Sequence, residues 1–153
     1  MLRLYVVFLI GSLVFGCSDL GLSLWEDSES DQANMPSERW YSKQQVQDGS
    51  TIFEENCSDC HGPQAGGKAA NWKQKLEDGS FPPPPLDGSA HAWHHSRSVL
   101  LGVINDGGFA YGGKMPAFKD VLKKEEKLAA IAYFQDFWDD ETYHQWEVMS
   151  GAR

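Results

Sequence analysis

Apolar positions along the chain recur at helical spacing in three stretches. Over residues 43–56, Val46, Gly49, Ile52 and Phe53 fall at i, i+3, i+6 and i+7, which is one face of a helix. A glycine inside that face costs about 1 kcal/mol of helix propensity against alanine, and a close helix–helix crossing would account for it. Residues 96–106 repeat through Val99, Leu100, Val103 and Ile104 and meet a stop at Gly107-Gly108. The clearest helix, 124–138, carries Leu128, Ile131, Ala132, Phe134, Phe137 and Trp138 behind Lys123-Lys124-Glu125-Glu126. Residues 62–88, with several glycines and the run Pro82-Pro83-Pro84-Pro85, predict a long loop, and residues 107–119 a glycine-rich loop around Met115. No strand-like alternation of useful length and no internal repeat interrupts this pattern, so the expected fold class is all-α.

The N-terminus follows a different rule. Met1-Leu2-Arg3 precedes an apolar stretch from Leu4 to Phe15 that ends in Gly16-Cys17, the layout of a secretory signal peptide over residues 1–16. The stretch is shorter than the about 20 apolar residues that a membrane span needs. Residues 17–42 are acidic, serine-rich and weakly periodic, which predicts a flexible tether with an r.m.s. reach of about 25–30 Å. The division expected is signal peptide 1–16, tether 17–42, one domain at 43–140 and a C-terminal tail at 141–153.

The chemistry concentrates in Cys57-Ser58-Asp59-Cys60-His61. Cys-x-x-Cys-His is the attachment pattern of a c-type haem: two thiols three positions apart can each form a thioether to a haem vinyl, and the next histidine is placed under the iron. A zinc site would want a second ligand pair at similar spacing, and a redox dithiol would want a surrounding βαβ pattern. Neither is present. Val14-Phe15-Gly16-Cys17 resembles the lipobox of bacterial lipoproteins, in which the cysteine is lipidated and becomes the new N-terminus. The three cysteines, Cys17, Cys57 and Cys60, are then all accounted for, with no thiol left for a disulfide. Haem of this type is attached after export, so signal and motif agree.

From about residue 43 to 138 the order of features resembles class I c-type cytochromes, small all-α single-haem electron carriers. Gly49 and Phe53 on a first helix, Cys57 to His61, Pro85-Leu86, the middle helix, Gly113-Lys114-Met115-Pro116 and a last helix with Tyr133 follow the family's sequence of parts. The resemblance implies a cytochrome c fold, three to five helices wrapped around one covalently bound haem c. It implies Met115 as the distal axial ligand opposite His61, and the Pro85 carbonyl as acceptor for the His61 Nδ1–H. It further implies Leu86 against the haem face, and Gly49 as the crossing point of the first and last helices near Tyr133. Two departures stand out: the loop from His61 to Pro85 is long, and the chain runs on past Asp139. A Met/His pair leaves no open position on iron, which implies a one-electron carrier rather than an enzyme such as a peroxidase.

Charge changes the picture of partners. Loss of Arg3 with the signal would take the net charge from −9 to −10. Residues 18–56 hold nine acids and two bases and residues 128–153 five acids and one base, whereas residues 57–127 hold eight acids and nine bases. The haem-binding segments are thus near neutral, with Lys68, Lys73, Lys75, Lys114, Lys119, Lys123 and Lys124. Such lysines suit docking to an acidic donor reductase or acceptor oxidase or reductase, and equally suit an ordinary solvated surface. Nothing points to nucleic acid. The expected protein is a monomer, lipid-anchored on the periplasmic side of a bacterial membrane, in a respiratory chain. A second reading rests on His91-Ala92-Trp93-His94-His95, three histidines in five positions, dense enough to bind copper through imidazole. His91 and His95 would share one helix face, and the protein would then handle copper or couple copper to haem redox chemistry. A histidine or Trp93 bonding a haem propionate is the plainer alternative.

Overall fold

The computed structural model describes residues 38–150, so the expected signal peptide, Cys17 and most of the expected tether lie outside the described residues. Ser42 opens the first helix, α1 (Lys43–Asn56), with a reciprocal cap: its hydroxyl accepts from Gln45 N (3.2 Å) and Gln45 Oε1 accepts from Ser42 N (2.9 Å). A one-turn helix, α2 (Ser58–His61), follows directly. Ser96 caps α3 (Arg97–Asp106), which ends at Gly107 with φ +83°. Glu126 accepts from the Lys123 amide (2.6 Å) at the start of α4 (Lys124–Gln135), and Asp139 accepts from Thr142 N (2.7 Å) at the start of α5 (Asp140–Ser150). Short 3₁₀ turns lie at Pro63–Ala65, Ala92–His94 and Phe109–Tyr111. Among the described residues there is no strand, and the expected all-α class holds.

α1 crosses α4 through the glycine that sequence pattern singled out. A Cβ on Gly49 would stand 2.0 Å from the Ala129 carbonyl oxygen and 3.0 Å from Tyr133 Cβ, so only glycine permits this approach. The Phe53 and Tyr133 rings close the same crossing at 5.1 Å. Around it lies the core of Phe53, Leu100, Ile131, Ala132, Phe134 and Trp138.

Two expectations of organisation change. The 141–153 segment, expected as a tail, is helical from Asp140 to Ser150 and buries Tyr143 and Trp146 in the main core. The fold also starts before Lys43: Tyr41 is buried, and Trp40 packs on the core beside it. The two ends hold each other. Trp40 N donates to Tyr143 Oη (2.9 Å), Trp40 Nε1 donates to Gln135 Oε1 (2.6 Å), and Arg39 reaches Trp138 O (3.0 Å) and Asp140 Oδ1 (2.9 Å). The Arg39 guanidinium lies 4.0 Å from the Tyr143 ring centroid, and that of Arg97 lies 4.5 Å from the Trp40 ring. The aromatic side chains that bind the ends thus come from outside the periodic helices that define the domain in sequence.

Candidate haem-binding site

α1 runs into α2 with Cys57 as the hinge residue between them. Cys57 O accepts from Cys60 N (3.1 Å) and His61 N (2.9 Å), which winds Cys57, Cys60 and His61 onto one turn. The result is a half-buried thiol, an exposed thiol and a buried imidazole on neighbouring positions. Before any attachment, burial, with the neighbouring Cys60 thiol, pushes the pKa of the free Cys57 thiol up to about 11.

His61 is oriented from below. The chain reverses after it through Gly62 (φ +77°), and Gly67 N donates to His61 O (2.6 Å). A Cβ on Gly62 would stand 2.5 Å from Gly67 O, so the reversal needs glycine. His61 Nδ1 lies 2.9 Å from Pro84 O. A carbonyl only accepts, so Nδ1 carries the hydrogen and Nε2 keeps its lone pair for a metal. Burial lowers the imidazole pKa, and the bond to Pro84 opposes part of that.

The acceptor is Pro84 and not, as expected, Pro85. The four prolines have no N–H to anchor them individually, so the run is pinned from its ends: Phe81 N donates to Gly112 O (2.8 Å) and Leu86 N to Ala65 O (2.7 Å). Successive carbonyls of an extended proline run point in directions about 120° apart, so one of them faces the ring and its neighbour does not. Pro85 instead sets its ring against Gly67, where a Cβ would come within 2.9 Å of Pro85 Cγ. Leu86 is half-buried against the core.

Met115 is half-buried on the loop after α3, and glycines hold that loop. Gly108 N donates to Met115 O (2.9 Å), and a Cβ on Gly107 would stand 2.6 Å from the same oxygen. Beside the loop, a cleft of about 300 Å³ is lined by Val99, Gly102, Val103, Asp106, Gly107 and Tyr111, among others. The donor set (two thiols and an imidazole on one turn, and a thioether on a clamped loop) suits a covalently attached haem and its two axial bonds.

The three histidines of 91–95 do not converge. His91 stacks on Trp72 (4.6 Å), His94 on Trp93 (3.6 Å), and His95 meets the His91 ring edge-on at 5.3 Å. The segment forms a 3₁₀ turn rather than the α-helix that would align i and i+4. Among the described residues, no group of three or more His, Cys, Asp or Glu side chains is arranged to hold a metal ion, and the copper reading gains no support.

Helices and donor set together define a c-type cytochrome. The family model described as cytochrome c oxidase, cbb3-type, subunit III matches residues 44–134, well over half of the chain, and the chain belongs to this family of cytochrome c domains. No curated protein and no solved structure matches the chain. The domain binds covalent haem c, which supplies a one-electron iron couple, and it exchanges electrons with redox partner proteins. Around these residues, Pro84 O accepts from His61, Gly107 lies against Met115 O, and the Trp138 and Trp146 indoles donate to Leu86 O and His95 O on the adjoining loop. The double glycine after α3, the proline run and Trp138 are visible in the sequence, whereas the partners they take are not.

Proposed function

We propose that this protein is an electron carrier of the bacterial cell envelope, with haem c held by thioethers to Cys57 and Cys60 and by axial bonds from His61 Nε2 and the Met115 sulfur. The single observation that carries the reading is the His61–Pro84 bond, which leaves the imidazole in the metal-binding tautomer on the turn that bears both thiols. His61 and Met115 would supply both axial ligands, a pairing that would favour outer-sphere electron transfer over turnover of a bound substrate. A thioether ligand from Met115 would stabilise Fe(II) and raise the potential.

Location follows from family and sequence. Cytochrome domains of this family lie on the periplasmic side of bacterial membranes. No helix among the described residues is long and apolar enough to cross a membrane. A lipid on Cys17 would hold the protein at that surface through the acidic 17–42 segment. Its work would lie in a respiratory chain, as a monomer between a donor and an acceptor.

The surface suits an acidic partner. Phe81, Phe109 and Tyr111 are exposed aromatics. Lys75 lies 5.2 Å from the Phe81 ring, Lys73 lies 5.2 Å from the Trp72 ring, and Lys114 pairs with Asp78 across the two loops. Apolar rings beside lysines give a docking patch whose on-rate falls with salt.

The test is spectroscopic. Purified protein should keep its haem through denaturing electrophoresis, and Cys57→Ala with Cys60→Ala should abolish that retention. Met115→Ala should lower the midpoint potential and open the iron to added small ligands. Covalent haem whose spectrum and potential ignore Met115→Ala would sink the axial assignment.

A further inference from the structure

Trp138 and Trp146 lie beyond the family-matched residues 44–134, and both direct their indole N–H at one loop. Trp138 Nε1 donates to Leu86 O (2.8 Å), and Trp146 Nε1 donates to His95 O (2.8 Å). The two residues are 2 % and 1 % exposed, so water cannot replace either donor. Leu86 is held on both of its backbone polar groups, since its N–H already binds Ala65 O (2.7 Å). It is also the first residue after Phe81 with an N–H, because residues 82–85 are all proline. Two residues before it stands Pro84, whose carbonyl accepts from His61. The loop lies directly on the indole: a Cβ on Gly88 would come within 3.1 Å of Trp138 Cδ1.

We propose that Trp138 is a positioning residue for the axial imidazole. By fixing Leu86 it holds the Pro84 carbonyl in hydrogen-bond register with His61, and so sets how strongly the ring donates to iron. The inference rests on the reading that His61 ligates the haem iron. A strong Nδ1–H bond makes the imidazole a better donor and stabilises Fe(III). Loss of the indole N–H slackens the proline run, weakens that bond and raises the potential. Trp146 grips the other end of the loop, nine residues beyond Leu86, and provides a built-in comparison.

The experiment compares holoprotein carrying Trp138→Phe with holoprotein carrying Trp146→Phe. Midpoint potential is read by spectroelectrochemical titration, and solvent exchange of the His61 Nδ1–H by proton NMR of the ferrous state. Trp138→Phe is expected to shift the potential upward and to speed the Nδ1–H exchange several-fold. Trp146→Phe is expected to lower stability and move neither. Equal stability losses with unchanged potential and exchange in both variants would overturn the proposal, because Trp138 would then serve packing alone. If Trp138→Phe yields no holoprotein, Gly88→Ala, which presses on the indole from the loop side, is read the same way. Wild-type protein without covalent haem would overturn the underlying ligand assignment as well, whereas a normal holoprotein insensitive to Trp138 overturns this inference alone.

Discussion

Gly49 on α1 and the Ala129 carbonyl on α4 approach so closely that a methyl group at Gly49 would sit 2.0 Å from the oxygen. The obstacle is backbone, which cannot rotate away as a side chain can. Gly49→Ala gains about 1 kcal/mol of helix propensity and loses more to overpacking at the crossing. A net loss of about 2–4 kcal/mol is expected, measured by denaturant unfolding of the holoprotein; an unchanged midpoint would show that the helices do not cross here.

Gly107 holds the Met115 loop in a conformation that disfavours a side chain, with φ +83° and a Cβ that would stand 2.6 Å from Met115 O. Gly107→Ala is therefore expected to displace the loop while leaving the Cys57–His61 turn intact. On the proposed Met115 ligation, the readout is loss of the methionine-to-iron charge-transfer band in ferric protein, with covalent haem content unchanged.

The last helix is held by buried polar contacts as well as by apolar area. Tyr143→Phe would leave the half-buried Trp40 N–H without its partner, at a cost of about 1 kcal/mol. Trp146→Ala removes a fully buried indole and should cost about 3–5 kcal/mol. Thermal unfolding checks both, and the prediction fails if Trp146→Ala melts with the wild type.

Burial, reinforced by Asp136 and Tyr143 and opposed by Arg39, pushes the Tyr41 phenol well above its ordinary value of 10.0. The unfolded chain then loses this proton at lower pH than the native chain does. The stabilising contribution is complete below pH 10 and declines as pH rises beyond it. Unfolding free energy should fall above pH 10, and Tyr41→Phe should flatten part of that fall. A slope unchanged by the substitution would mean that Tyr41 does not carry it.

Charge reversal on the lysine-bearing loops offers a further check. Lys73→Glu with Lys75→Glu should slow electron transfer to an acidic redox partner at low ionic strength, and the difference should shrink as salt is added. Stopped-flow rates across a salt series decide it; a rate difference independent of salt would argue against an electrostatic docking face.

The helices were legible where spacing repeats. Phe53 on α1, Leu100 on α3 and Ile131 with Phe134 on α4 turn inward and Val46 packs half-buried beside them, whereas Val99 and Phe137 of the same expected faces stay exposed. α5 was missed because its apolar residues are few and follow the acidic run Asp139-Asp140-Glu141. That run is itself a start signal, with Asp139 as cap and carboxylates in the first turn. Trp40 and Tyr41 fall in the expected tether because two aromatics make no period. The Pro84 acceptor could not be told from Pro85, since register in a proline run is decided by amides outside it. In the histidine cluster, local spacing predicts that His91 and His95 meet, and their rings do so edge-on, but the ring stacked on His91 is Trp72, a residue 19 positions earlier, and His94 stacks on Trp93 instead.

The closure of Arg39 and Trp40 onto Gln135, Trp138, Asp140 and Tyr143 has a mechanical side. A pull on the chain from its N-terminal side meets these contacts before it reaches α1. The partners stand some hundred residues away in sequence, so the load passes to the C-terminal half of the fold and bypasses the Cys57–His61 turn. Under the proposed lipid anchor at Cys17, the clasp would act as a strain relief, taking up a tug from the N-terminal side before it reaches the Cys57–His61 turn.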